Sequence, residues 1–217
     1  MWEDGGMKFG GGLYEVAKLP ALFQDEIRTM PMLYRADAEF AVKRIPALRG
    51  FIDSALAENY APFKYESLDV KVAMLKKGWW PCIPGWHLDD FYRPSGGQPD
   101  IEHLPEHAST HFMALFGGCS LTEFLDGFQE FPLPPRDGTV YGFYDKLIED
   151  SHSPRITLQS ETLYRFTSLD FHRGMPAKEY GWRAFVRLTV GNERPPKNEI
   201  RTQVQVYVPA DKMFAGW

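Results

Sequence analysis

The sequence predicts a mainly β, α+β domain, and three observations carry that expectation. Its 17 prolines and 19 glycines are spread along 217 residues, a turn-rich spacing that suits short strands better than a helical bundle. From Leu68 onward, short runs rich in β-branched and aromatic residues follow one another, broken by turn residues, as a sandwich or barrel requires. The last run alternates without a break, with Ile200, Thr202, Val204, Val206 and Val208 on one face and Arg201, Gln203, Gln205 and Tyr207 on the other, the period of a half-buried strand.

Taken in order, the elements divide a single domain, 1–217, into an N-terminal support, 1–67, and a β core, 68–208. The glycine-rich start from Gly5 to Gly12 leads into a strand at Leu13 to Val16. A helical segment spans Ala36 to Arg44, and Pro46 occupies the first turn of a second helix, whose Leu48, Phe51, Ile52, Ala55 and Leu56 mark one apolar face. Strands are expected at Val70 to Leu75, Trp86 to Tyr92, His111 to Phe116, Leu121 to Leu125, Val140 to Phe143, Leu163 to Thr167, Trp182 to Val190 and Ile200 to Val208. Three prolines stiffen the stretch Phe131 to Gly138 into a rim loop.

Composition excludes several classes of function. A hydrophobic share of 44% with 15% aromatics argues against disorder. The net charge of −5 and the lack of a basic stripe disfavour nucleic acid. No apolar run is long enough to span a bilayer, and the opening Met1 to Gly6 lacks the parts of a signal peptide, so no membrane partner and a cytoplasmic location are expected. Two cysteines, Cys82 and Cys119, are too few for a disulfide scaffold. Nothing in the sequence sets the oligomeric state.

Chemistry concentrates in His87-Leu88-Asp89, in His172, and in the run Gly181 to Arg187. On a strand, His87 and Asp89 project to the same side, with Trp86, Leu88 and Asp90 opposite. The same rule places Arg183, Phe185 and Arg187 on one face of a later strand and Trp182, Ala184, Val186, Leu188 and Val190 on the other. The guanidinium face needs solvent, acidic partners or an anion, because an unpaired buried charge costs more than folding can spare.

This arrangement resembles the iron(II)/2-oxoglutarate-dependent dioxygenases, whose pattern is His-x-Asp/Glu, a distal His, and an Arg roughly ten residues further on. The resemblance covers about residues 68 to 208, and the segment Gly117 to Phe124 is similar to the small-residue turn and short strand between the halves of that motif. It implies a double-stranded β-helix, a jelly-roll-like core of two antiparallel sheets. His87, Asp89 and His172 would be the ligands of Fe(II), with positions left for a bidentate 2-oxoacid and O2. Arg183, with Arg187 as the alternative, would hold the far carboxylate of the co-substrate 2-oxoglutarate, and Thr122 would be a further residue binding it. The implied activity is oxidative decarboxylation of 2-oxoglutarate to succinate, coupled to C–H hydroxylation.

Other readings of the same residues stay open. His103, His107 and His111 recur every four residues, a possible second metal pattern, but Pro105 fits the first turn of a helix starting after His103, and His111 begins a strand-like run. His152 lies in turn chemistry. Tyr92 and Arg93, just beyond Asp89, are candidate substrate contacts at the start of a loop running to Ser109. The expected substrate is a small organic molecule; a peptide or a nucleic-acid base are alternatives, as is a non-catalytic β-barrel module binding an anionic ligand.

Overall fold

Residues that alternate apolar and polar over 11 positions build the longest strands, and those strands organise the molecule. The computed structural model describes residues 6–59, 62–90, 93, 100–134, 139–192 and 194–208. The N-terminal part supplies β1 (Gly6–Gly10), β2 (Tyr14–Lys18), α1 (Gln24–Thr29), β3 (Leu33–Ala36), α2 (Ala38–Arg44) and α3 (Arg49–Ala57). After these come β4 (Tyr65–Leu75), β5 (Thr110–Phe116), β6 (Thr122–Leu125), β7 (Phe128–Pro132), α4 (Val140–Asp150), β8 (Arg155–Thr157), β9 (Thr162–Thr167), β10 (His172–Gly174), β11 (Gly181–Gly191) and β12 (Glu199–Ile200). The protein is mainly β, with a seven-stranded sheet in the order β12-β3-β4-β11-β5-β9-β2, a three-stranded sheet β10-β6-β8, and a β1-β7 pair. All the pairings are antiparallel.

The large sheet separates two environments. Ala184, Val186, Leu188 and Val190 of β11 are buried in one apolar cluster with Phe51, Ile52 and Ala55 of α3, each large side chain contributing about 1.5–3 kcal/mol. Helix formation there follows from local signals: Asp37 caps α2 by accepting from the Phe40 amide at 2.7 Å, and Pro46 opens a short 3-10 turn that leads into α3. The opposite face of β11 carries Arg183, Phe185 and Arg187. Register fixes their neighbours, since Phe185 pairs with Lys71 and Leu115, and Arg187 pairs with Asp69 and Met113, and directly opposed residues share a face.

A second core holds the other wall. Trp86, Leu88, Leu104, Tyr144, Ile148, Phe171 and Phe9 are buried together, so the residues flanking His87 and the one preceding His172 are anchored in a common cluster. The two short segments meet through a single antiparallel bridge, His87 to His172, whose reciprocal amide bonds are 2.9 and 3.0 Å long. The turn expected at Gly117 is present with φ +82; a Cβ there would lie 2.2 Å from the Trp182 carbonyl oxygen, so only glycine fits.

Three expected strands differ. Trp86 to Tyr92 is extended only around His87, since residues 89–90 form a bend and Tyr92 lies outside the described residues. Val140 to Phe143 opens α4 instead, because Val140, Tyr144 and Ile148 are buried at a spacing of four, a helical stripe that a four-residue window cuts short. Of Ile200 to Val208, only Ile200 belongs to a strand. Beyond Ile200 the pairing is limited to one antiparallel bridge between Tyr207 and Trp80, and the alternation reflects two-sided packing: Val204 and Val206 pack on the cluster of Ala73, Leu75 and Cys119, while Arg201, Gln203, Gln205 and Tyr207 line a cavity. The N-terminal support contributes three strands as well as its helices.

Candidate metal centre

The bridge between His87 and His172 brings two imidazoles side by side, their ring centroids 4.6 Å apart. Asp89, two residues on from His87, completes the group: one nitrogen or oxygen from each of His87, Asp89 and His172 lies within 4.8 Å of the others. His172 Nε2 is 3.3 Å from Asp89 Oδ2. Both histidines use Nδ1 toward a backbone carbonyl, His87 to Gly85 O and His172 to Asp170 O, each at 3.0 Å. Such a bond is satisfied by the tautomer protonated at Nδ1, which leaves the Nε2 lone pairs for a cation.

Electrostatics agree with that donor set. Burial first, and then the adjacent His172, push His87 down to about 4, so the ring is neutral at pH 7. Burial would raise the Asp89 carboxyl, but Arg187 and then His172 outweigh it and hold Asp89 well below the usual carboxylate range. A neutral His87 imidazole, the His172 ring and one ionised carboxylate are therefore offered to one point, a set that fits a divalent transition metal with open positions. The surrounding walls are rigid: Phe124 stacks on His172 at 4.9 Å and Phe166 meets it edge-on at 5.3 Å.

A pH prediction follows from His87. Its folded value lies below the ordinary 6.5, so the unfolded chain binds the extra proton between about pH 6.5 and 4. His87 then contributes stability that is full above about pH 6.5 and is lost as pH falls toward 4, about 3 kcal/mol at about 1.4 kcal/mol per pH unit. Urea unfolding of the metal-free protein at pH 7 and pH 4.5 is expected to show this loss, and His87→Gln to reduce it. Equal pH dependence in the two proteins would remove His87 as its source.

The arginines of β11 take different places. Arg187 is ion-paired with Asp89, and its Nη2 is 3.4 Å from Asp69 Oδ2. Burial works against its charge, but Asp89, Asp90 and Asp69 more than restore it. Arg183 is buried without an ion pair to a carboxylate among the described residues; it donates from Nε to Ser120 O at 2.8 Å and from Nη2 to Thr122 Oγ1 at 3.3 Å. Thr122, on β6, thus stands beside Arg183. Both thiols lie within electrostatic reach of that guanidinium, and both cysteines are free.

A cavity of about 730 Å³ opens over His87 and Asp89. Arg93 lines it, with Nη2 3.4 Å from the Tyr141 hydroxyl; Tyr92 lies outside the described residues. Arg183 is not part of this lining, whereas Cys82 is. Strand parity placed Asp90 away from the ligands, but its φ of +56 breaks the alternation and turns it into the cavity wall, paired with Arg194 at 2.7 Å. The three histidines spaced by four do not assemble: His103 pairs with Asp100 at an exposed turn, and His111 is fully buried in β5, bonded to Thr189 and Ser168. His152 is exposed outside regular structure.

Sequence reasoning missed Lys71, Asp69 and Arg201. Lys71 and Asp69 sit on the site face of β4 at odd positions, the same parity as the residues that register with Arg187, Phe185 and Arg183; their signal was two charges inside an otherwise apolar run. Among the described residues, no helix is long and apolar enough to cross a membrane. Compared with known proteins, the sequence matches no family model and no curated protein.

Proposed function

We propose that this protein is an Fe(II)/2-oxoglutarate-dependent oxygenase that converts 2-oxoglutarate to succinate while hydroxylating a C–H bond of a small organic substrate. The observation that carries the reading is the convergence of His87, Asp89 and His172 with both Nδ1 atoms already committed to backbone carbonyls. The strand arrangement supports a double-stranded β-helix: β4, β11, β5 and β9 are neighbours in the large sheet, and the His87 segment, β10, β6 and β8 follow one another in the small one.

Ferrous iron held by the triad would supply O2 activation, with O2 as the oxidant and the 2-oxoacid giving up two electrons as it loses CO2 and becomes succinate. The chain's own groups hold and orient. Arg187 fixes the Asp89 carboxylate by a charge-assisted hydrogen bond. Phe124 and Phe166 hold the His172 ring and exclude water from that side. Arg183, a buried guanidinium with donors left over after Ser120 and Thr122, suits the distal carboxylate of the 2-oxoacid. A thermal-shift or dialysis titration tests that assignment. Arg183→Gln is expected to weaken 2-oxoglutarate binding by about 100-fold, the loss of about two charge-assisted bonds, with iron content unchanged because Arg183 touches no ligand. The oxygenase reading itself is tested by anaerobic loading with Fe(II) and 2-oxoglutarate, which is expected to give a weak visible charge-transfer band, with succinate on admission of O2. A folded protein that binds no iron would overturn it.

A further inference from the structure

The cavity over the triad is positively charged in a protein of net charge −5. Lys71, Arg93, Arg187, Arg194 and Arg201 line it against Asp89 and Asp90. Asp69 stands behind, shared between Arg187 and Arg201 at 3.4 Å each, and Arg194 is taken by Asp90. Lys71 differs from these. No carboxylate lies within ion-pair distance of it among the described residues, and its ammonium rests 5.5 Å from the centroid of the Phe185 ring, which Arg183 and Arg187 also approach. Burial first, then Arg187, push its pKa down, the penalty of a cation without a counter-ion. Arg201 also has capacity left, since its Nε is buried without a hydrogen-bond partner among the described residues. Two residues beyond Arg201 begins a row of neutral hydrogen-bonding side chains on the same wall, Gln203, Gln205 and Tyr207.

We propose that the primary substrate is a small organic anion, a carboxylate or phosphate ester, whose acidic group is held by Lys71 and Arg201 while its polar body lies along Gln203, Gln205 and Tyr207. The inference rests on the oxygenase reading for the chemistry done to that anion, but not for its binding. A dianionic 2-oxoacid on the metal and Arg183 leaves Lys71 without a counter-ion and Arg201 with only a carboxylate that it shares with Arg187, and an anionic substrate is the group that matches them. The cavity volume falls within the range of small-molecule sites.

The test uses Fe(II)-loaded protein under anaerobic conditions with saturating 2-oxoglutarate, and thermal shift against a charge-balanced library. The library pairs carboxylates and phosphate esters with their neutral amides and alcohols, and includes amines of similar size. Anions are expected to stabilise the protein, with the neutral counterparts binding at least about ten-fold more weakly, the effect of one charge-assisted bond; the arm that binds identifies carboxylate or phosphate. Lys71→Gln and Arg201→Gln are each expected to weaken anion binding at least about ten-fold and leave 2-oxoglutarate affinity unchanged. Because Lys71 is in no ion pair among the described residues, Lys71→Gln carries the test should Arg201→Gln, which leaves Asp69 to Arg187 alone, fail to fold. Stabilisation by neutral or cationic compounds, stabilisation by none, or a Lys71→Gln protein that loses 2-oxoglutarate as Arg183→Gln does, would each overturn the proposal. If neither iron nor 2-oxoglutarate binds but anions still do so through Lys71 and Arg201, the oxygenase reading falls and the anion site stands.

Discussion

Alanine at His172 is expected to abolish stoichiometric metal binding, lowering affinity by more than about 100-fold. Replacing a group that merely orients a ligand costs about 10–100-fold, and His172 is itself one of three donors. Its Nε2 lies 3.3 Å from Asp89 Oδ2, so its removal leaves one imidazole and one carboxylate, and that carboxylate is already engaged by Arg187. The variant also opens a void between Phe124, which stacks on the ring, and Phe166, which meets it edge-on, so His172→Gln provides a filled control. Metal analysis of anaerobically purified protein should give one equivalent of iron for the wild type and none for either variant, with all three folded by circular dichroism. Retention of a full equivalent in both variants would place the metal elsewhere.

The parts of the site that were legible in the sequence are those whose geometry follows from one strand. The parity of β11 separates Arg183, Phe185 and Arg187 from the buried Ala184, Val186, Leu188 and Val190, and no tertiary information is needed to see it. Likewise α3 is readable because Pro46 and the spacing of its apolar residues are local signals. What could not be read depends on partners distant in sequence. His87 is held by one bridge to His172 and not by a continuing ladder, so the segment turns at Asp90, whose positive φ reverses the expected side. The C-terminal run keeps strand periodicity while pairing only at Ile200 and in one bridge at Tyr207, because the cavity on one side and Val204 and Val206 packing on the other impose the same alternation. Lys71 and Asp69 became visible only through the register that sets them opposite Phe185 and Arg187.

Arg187→Met is expected to destabilise the metal-free protein by about 3–5 kcal/mol, the cost of leaving buried charge without its partner. Arg187 neutralises two carboxylates at once: Asp89, which it engages directly, and Asp69, 3.4 Å away. Methionine preserves much of the apolar stem, so the loss is mainly electrostatic. Asp69 keeps a second cation, Arg201, at 3.4 Å, whereas Asp89 has no lysine or arginine other than Arg187 within ion-pair distance among the described residues, and His87 is neutral at pH 7. The deficit therefore falls on Asp89, and a divalent metal is the charge that replaces the guanidinium. Urea unfolding with and without saturating Fe(II), under anaerobic conditions, should show metal stabilising Arg187→Met more than the wild type, so that the gap between the two proteins narrows on loading. A gap that stays constant or widens would mean that Arg187 supports the fold through Asp69 and that its contact with Asp89 contributes little.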